Sequence, residues 1–468
     1  MIALTLATLV AAMDGVLYLG GSDTAETLIQ GTVVTDSRLV SDGDLFFAVP
    51  GEFTDGQLFA LSAQERGAVL VVCESRQAIN VSQIVVPDAA VALASLARFV
   101  VAEVRSRGGL RVVGITGSNG KTTTKNMLRS MLASAGETVA PEGSFNNHIG
   151  APLSMLRVTA TTRYLIIEMG ASGVGEIAKL VRIAVPDISV VLSVGLAHAG
   201  EFGGIEQTAR AKAEILTELP NSAVAILNTD DERVAGMAKL TRAAVRSFGL
   251  GIEAEVRASA LDATASGTEF ILHMDGTERH VFLKILGEHH VMNALAAISV
   301  CRVLGVPLEP ALTALELLAR AERWRMEVLS PGSGITIIND AYNASPDSVA
   351  AALKTLAQLT RGERRSVAVL GEMAELGEYA QDEHDRIGRL AVRLNIAQLI
   401  VVGHGARHIH NAAGLEGSWD GESQLVEDSD AAFEVLSNRL QPGDVVLVKS
   451  SKSANLRFLG DRLGGVTA

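Results

Sequence analysis

The chain has 468 residues and a formal net charge of −13 at pH 7, a length that suggests about three domains at ~150 residues each. Hydrophobic residues at 48% and charged residues at 20% exclude both a disordered chain and a multi-span membrane protein, and aromatics at 4% make the cores aliphatic. An acidic chain with no basic run is a poor general binder of nucleic acid or anionic membrane.

The first segment, Met1 to Met13, is apolar. It lacks a basic flank, because the first positive side chain is Arg38, and it is too short to span a bilayer. A buried N-terminal helix is expected. Short β-like runs follow at Thr32–Thr35, Leu45–Val49, Val69–Val72 and Ile84–Val86, then a helical pattern from Val91 to Arg105 ending at Gly108-Gly109. Residues 1–107 read as a small mixed α/β domain. No other stretch reaches 18 uninterrupted apolar residues, so a soluble chain without membrane insertion is expected. Cys73 and Cys301 both lie in apolar stretches and read as buried free thiols, which suits a reducing cytoplasm.

From Arg111 strands and helices alternate: strand Val112–Thr116, helix Thr122–Ala135, strands Tyr164–Glu168, Ile188–Ser193 and Val224–Leu227, with a helix over Gln207–Glu218. Alternation of this kind argues for a parallel sheet covered on both faces. An antiparallel insertion is expected from Ala254 to Ile285. Residues 108–320 therefore read as a central parallel-sheet domain. Residues 321–468 repeat the alternation, with strands at Ile335–Asp340, Val367–Leu370, Leu399–Val402 and Val445–Lys449 and helices starting near Ser345, Gln381, Asp430 and Ser453. They read as a Rossmann-like doubly wound domain, and hinges are expected near 106–110 and 318–324.

Charge is unevenly spread along these thirds: −7 over residues 1–105, −1 over 106–320 and −5 over 321–468. The near-neutral middle leaves room for an anionic ligand. Lysine is scarce, 9 against 31 arginines, and the first is Lys121.

Lys121 lies within the strongest local signal, Gly114-Ile115-Thr116-Gly117-Ser118-Asn119-Gly120-Lys121-Thr122-Thr123-Thr124, between an apolar strand and a helix. Such a phosphate-binding loop points backbone N–H groups and a helix N-terminus at the ligand. The lysine reaches the outer phosphates, and the Thr122 hydroxyl can serve Mg²⁺. The usual first glycine is Ile115 here, so the loop is a variant. Downstream, Glu168 closes a buried strand, where ligands of parallel sheets bind, and is a metal-ligand candidate. His198 follows a second strand at the same sheet edge. His289 and His290 read as packing or capping residues. His404, His408 and His410 read as surface histidines, not a metal site.

These segments together resemble the Mur ligase family, the ATP-dependent amide-forming enzymes of peptidoglycan synthesis. Besides the loop, Glu168-Met169-Gly170 and the His198 segment, the resemblance rests on Ala211-Lys212-Ala213-Glu214, His290-Val291-Met292-Asn293 and Thr35-Asp36-Ser37-Arg38. It covers essentially the whole chain in three domains. Asp340-Ala341-Tyr342-Asn343-Ala344-Ser345 and Leu370-Gly371-Glu372-Met373 with His384 resemble the branch that adds D-alanyl-D-alanine to UDP-N-acetylmuramoyl-tripeptide. The alternative is the sister ligase that adds the third residue, diaminopimelate or lysine, to the UDP-dipeptide.

The resemblance implies a UDP-sugar-binding domain over 1–107, an ATP-binding P-loop domain over 108–320, and a third domain over 321–468 that completes the ATP site and binds the incoming dipeptide. It implies catalysis by Lys121, Glu168, His198 and Lys212, with Thr122, Glu168, His198 and a carbamylated Lys212 holding two Mg²⁺ ions. ATP would lie on Gly117, Ser118, Asn119, Gly120, Lys121, Thr122, Thr123, Asn293, Arg325 and Asp340. Ser37, Arg38, Asn146, Asn147, Tyr342 and Asn343 would bind UDP-MurNAc-tripeptide and D-Ala-D-Ala. A cytoplasmic monomer is expected. Two departures from the family pattern stand out: Trp324 precedes Arg325 where glycine is usual, and Ser450 follows Lys449 where glycine is usual.

Overall fold

The computed structural model describes residues 1–466 other than 52–53, 198, 321, 362–363 and 417–418. The first unit is built on a five-stranded sheet in the order Val16–Tyr18, Ser82–Val85, Leu70–Cys73, Leu45–Phe47, Val33–Val34. All neighbours are parallel except the first pair. The N-terminal helix runs Leu6–Met13, capped by the Thr5 hydroxyl and ended by Asp14 in the left-handed region. It starts later than the apolar run because Leu4–Thr5 pairs with Leu28–Ile29 as a small antiparallel ribbon.

Helix Ala89–Ser106 starts at an Asp88 cap and buries Leu93, Leu96, Val100 and Val104, the spacing of one helical face. It packs on Leu6–Met13 on one side and on helix Gly150–Met155 of the central unit on the other. The buried core therefore runs unbroken from Leu6 and Leu9 through Leu96 to Met155 and Leu165. Arg105 adds hydrogen bonds to Val185 O and Asp187. The turn Gly108-Gly109, both residues at positive φ, is thus bridged by packing.

The central unit has a nine-stranded sheet: Thr277–Leu283, Gly267–Met274, Val256–Thr264, Ala244–Gly249, Val224–Asn228, Ile188–Val191, Arg111–Thr116, Tyr164–Glu168, Thr138–Val139. The strands from Thr138 to Val256 pair in parallel; the last two pairings are antiparallel. The expected insertion is thus an extension of the main sheet, joined where Phe248 pairs with Val256. Arg111–Thr116 lies between Tyr164–Glu168 and Ile188–Val191. The chain turns to one side of it and then the other, so a crevice opens at its C-terminal end.

The third unit has the sheet order Glu327–Leu329, Thr336–Asn339, Val445–Lys449, Ser366–Leu370, Gln398–Val402, Glu422–Val426, parallel except for its first strand. Aliphatic clusters cover both faces, as around Leu353 and Ile387 on one and Val369 and Leu436 on the other. The sequence reading missed Glu327–Leu329, Glu422–Val426 and helix Arg407–Leu415. Both strands are sheet edges, one only three residues long and the other mostly polar, so no periodic signal marks them. Among the described residues no helix is long and apolar enough to cross a membrane.

Candidate active site

A cleft of about 1370 Å³ separates the central and third units. One wall is the phosphate-binding loop. Gly117 and Gly120 have φ of +150° and +85°. A Cβ on Gly120 would stand 2.2 Å from Asn293 Oδ1, and one on Gly117 2.9 Å from Leu192 Cβ, so only glycine fits either position. The Ser118 hydroxyl donates to Gly195 O (3.1 Å) and accepts from Gly195 N–H (2.8 Å). Lys121 opens helix Lys121–Ala133 and donates to Gly117 O at 2.7 Å, within the loop. Burial lowers its pKa, against the opposing pull of Glu168.

Glu168 ends its strand 1% exposed. It accepts from Thr122 Oγ1 (3.0 Å to Oε2) and from Asn146 Nδ2 (2.9 Å to Oε1). The Ser144 hydroxyl lies 3.0 Å from Thr122 Oγ1 and accepts from Arg325 Nη2 at 3.3 Å. Lys212, on helix Ile205–Thr217, is 2% exposed and holds its ammonium over the Phe202 ring. Burial, helped by the charge of Lys121, lowers its pKa to about 7.

The opposite wall comes from the third unit. Lys449 Nζ donates to Asp340 Oδ2 (2.6 Å) and Asn343 O (3.1 Å). Asp340 Oδ1 accepts from Met326 N–H. The Arg325 guanidinium lies 4.4 Å from the centre of the Tyr342 ring. Ser345 caps helix Pro346–Leu359 in a reciprocal capping box with Ser348, and its hydroxyl donates across the cleft to Asn119 Oδ1 at 2.9 Å. A second bridge joins Gly200 N–H to Glu375 O at 3.0 Å. There a Cβ on Gly200 would stand 2.4 Å from Gly377 N.

The structure thus brings Ser118, Asn119, Gly120, Lys121, Thr122, Thr123, Asn146, Asn147, Glu168, Lys212, Asn293, Arg325, Asp340, Tyr342 and Asn343 to one cleft. Asn147 spends its Oδ1 on the backbone N–H groups of Ile149 and Gly150. Asn293 binds Thr124 and His290 and backs Gly120. Ser37 and Arg38 lie on the first unit, outside this lining, and Arg38 is a highly exposed partner of Asp36. His198 falls outside the described residues. Among the described residues no three His, Cys, Asp or Glu side chains form a metal cluster. His408 pairs with Asp385 and His410 with Ser423. Ser450 takes an ordinary backbone conformation and donates its hydroxyl to Ser451 O, so serine fits there without strain.

Lys125 went unread in the sequence, and His290, read there as a packing or capping residue, lines the cleft. Lys125, wholly buried, donates to Pro141 O and Gly143 O, each at 2.8 Å, and so fixes the approach to Ser144. It stands four residues after Lys121 in a lysine-poor chain, a signal that could have found it. His290 accepts from Asn293 Nδ2 through Nδ1, and burial lowers its pKa well below the usual range. Its Nε2 and the Nε of Arg325 are buried without a partner among the described residues. Both residues line the cleft.

Comparison with known proteins gives matches along most of the chain. The profile of the Mur ligase middle domain matches residues 115–301. That of the Mur ligase glutamate ligase domain matches 324–452, and that of the Mur ligase family catalytic domain matches 31–104. The UDP-N-acetylmuramoyl-tripeptide–D-alanyl-D-alanine ligase of Mycobacterium tuberculosis is 44% identical, with 99% of this chain and 98% of that protein covered. A crystal structure of MurF from Acinetobacter baumannii superposes with a TM-score of 0.88 at 30% identity, covering 99% of each chain. That of Thermotoga maritima MurF ligase in complex with ADP gives 0.80 at 28% identity, covering 93% of this chain and 97% of the other.

Proposed function

The chain belongs to the Mur ligase family, and from that premise we propose that it joins D-alanyl-D-alanine to UDP-N-acetylmuramoyl-tripeptide at the expense of ATP, in peptidoglycan synthesis. The observation that carries this reading is the two-walled cleft. A glycine-lined phosphate loop with a buried Thr122–Glu168 pair faces Arg325, Asp340 and Lys449 of a separate unit. A kinase site needs no third unit of this kind. Relatives 44%, 34% and 32% identical, each over more than nine-tenths of the chain, are named for the D-Ala-D-Ala reaction.

ATP suits the residues present. The loop has glycines where any Cβ would collide, and the cleft carries two buried polar nitrogens, His290 Nε2 and Arg325 Nε, without partners among the described residues. Lys121 binds the outer phosphates, while Arg325 and Asp340 close on the nucleotide from the other wall. Magnesium also suits the donors, since Thr122 and Glu168 offer hard oxygen ligands; when bound, it supplies charge neutralisation for the phosphates. His198 and Lys212, the latter carbamylated, are assigned to a second magnesium.

The chemistry follows from two obstacles. Condensing a carboxylate with an amine in water is uphill, and the carboxylate oxygen is a poor leaving group. Transfer of the γ-phosphoryl group to the tripeptide carboxylate gives an acyl phosphate and ADP. The dipeptide amine then attacks the carbonyl carbon and phosphate leaves. Positioning and charge neutralisation dominate phosphoryl transfer. Lys121 neutralises, Asn146 orients Glu168, and Tyr342 and Asn343 line the acceptor side. The opposing wall shields the acyl phosphate from water.

Residues 1–107 are assigned to the UDP-sugar through Ser37 and Arg38, residues 108–320 to ATP, and 321–468 to the dipeptide; residue 321 itself lies outside the described residues. The enzyme is assigned to the cytoplasm as a monomer, in keeping with two buried free thiols. The test is product mass after incubation with UDP-MurNAc-tripeptide, ATP, Mg²⁺ and D-Ala-D-Ala. The expected product is the tripeptide plus the dipeptide less water, with one phosphate released per bond. Equal turnover with a single amino acid on the UDP-dipeptide would overturn the assignment in favour of the sister reaction.

A further inference from the structure

Arg325 sits in an unusual piece of backbone. The residues on both sides of it, Trp324 (φ +59°) and Met326 (φ +49°), occupy the left-handed region. That region is costly for any residue with a Cβ, and most of all for a bulky one. Two such residues flanking a half-buried arginine at a cleft need something to hold them.

Hydrogen bonds hold each of them. Met326 N–H donates to Asp340 Oδ1 at 3.0 Å. Trp324 N–H donates to Glu327 Oε2 at 2.9 Å, and Trp324 O accepts from Tyr342 N–H at 3.1 Å. The indole Nε1–H of Trp324 reaches Asp461, at 3.0 and 2.9 Å from its two oxygens. Asp461 lies on helix Leu456–Leu463 and is 7% exposed. It also accepts from Arg323 Nη2 (2.9 Å) and from Asn339 Nδ2 (3.1 Å). One buried carboxylate therefore ties the segment leading into Arg325 to the residue preceding Asp340. Trp324 itself does not line the cleft. Its ring is packed by Arg323, Arg457 and Phe458.

We propose that Trp324 is a positioning residue. Anchored through its indole to Asp461, it holds the strained turn 324–326 in the conformation that presents the Arg325 guanidinium to the cleft. Without the anchor, the Cβ penalty at residue 324 drives the turn back to negative φ and swings Arg325 out of register. The inference rests on the role given above to Arg325 at the nucleotide.

The mechanism makes an unusual prediction about the order of two substitutions. Trp324→Phe keeps the ring and the Cβ penalty but removes the indole donor. Trp324→Gly removes the ring and the penalty together, because glycine adopts positive φ freely. Steady-state phosphate release with ATP varied should show KM for ATP raised about tenfold in Trp324→Phe, the scale of one strained backbone position released. Trp324→Gly should stay within about threefold, although its melting temperature falls further. Asp461→Ala should raise KM for ATP at least as much as Trp324→Phe, yet add clearly less in the Trp324→Gly background than in the wild type. A merely structural role gives the reverse order, with KM following the melting temperature and Asp461→Ala adding its full cost in either background; that result overturns the proposal. Should Trp324→Gly fail to fold, Trp324→Phe and Asp461→Ala decide between themselves: one shared loss in the double variant supports the anchor, and two independent losses overturn it. Arg325→Ala separates the two levels. Wild-type kinetics there would remove both the nucleotide role and this inference, whereas a large loss there with the wrong Trp324 order removes the inference alone.

Discussion

The two walls of the cleft carry positive side chains by different means. On the phosphate-loop wall the work is local: Gly117, Gly120 and Lys121 lie within five consecutive residues, and the lysine bonds to the loop's own carbonyl. On the opposite wall nothing is local. Arg325, Asp340 and Lys449 come from three distant segments, and they meet because Asp340 accepts from both Met326 and Lys449. The first wall is specified by a motif and the second by tertiary hydrogen bonds. Errors in the first remove a group from the chemistry; errors in the second let a group drift.

The largest effect is therefore expected on the local wall. Lys121→Ala should cut product formation by about 10²–10³-fold or more, the scale of removing a group that stabilises developing charge. Circular dichroism and melting should stay close to wild type, and substantial residual turnover would show that the loop does not bind phosphate. Next comes Lys212, behind the same wall. Its pKa of about 7 leaves the neutral, nucleophilic amine dominant above that pH. With ¹³C-bicarbonate, a carbamate signal should grow as pH rises through 7 and be absent in Lys212→Met. Lys212→Ala should lose activity and regain part of it with short carboxylic acids. No rescue and no carbamate would remove Lys212 from the metal site.

On the tertiary wall, Lys449→Met should cost less, about 10-fold to 100-fold in kcat/KM. It removes the ammonium from Asp340 and leaves that partly buried carboxylate on the Met326 N–H, a change worth a few kcal/mol at most to the local geometry. A loss equal to that of Lys121→Ala would break the contrast between the walls. The smallest effect belongs to the bridge. Asn119→Ala removes one hydrogen bond between walls, worth ~1 kcal/mol or about fivefold in kcat/KM, and should leave the melting temperature alone. Ser345→Ala removes that bond and a helix cap, so it should add ~1 kcal/mol of instability. Equal melting temperatures for the two variants would show that the cap is not working as one.

The same contrast governs what could be read from the sequence. Most of the alternating strands and helices were legible, as was the placing of Lys121, Thr122 and Glu168 at the end of the central strands, because periodicity and a contiguous motif report them directly. The continuity of the first core into the central unit was not legible, because helix Ala89–Ser106 shows one apolar face in sequence but serves two neighbours in space. Ser144 stands out in sequence only as a departure from the family pattern, with serine where asparagine is usual; its role shows where Thr122 and Arg325 converge on it. Trp324 was noticed as an unusual neighbour of Arg325, but only its positive φ and the bond to Asp461 explain how a bulky residue can stand there.

The contact between Gly200 and Gly377 has a mechanical consequence. Where the central and third units touch at this point, backbone meets backbone with no side chain between them. Side chains yield by changing rotamer, whereas main chain hardly yields at all. The pair therefore behaves as a rigid stop that sets how near the two walls come, independently of any charge on them. A single methyl group at residue 200 would act as a shim, widening the gap by the thickness of one atom and lengthening the reach required of every donor across it.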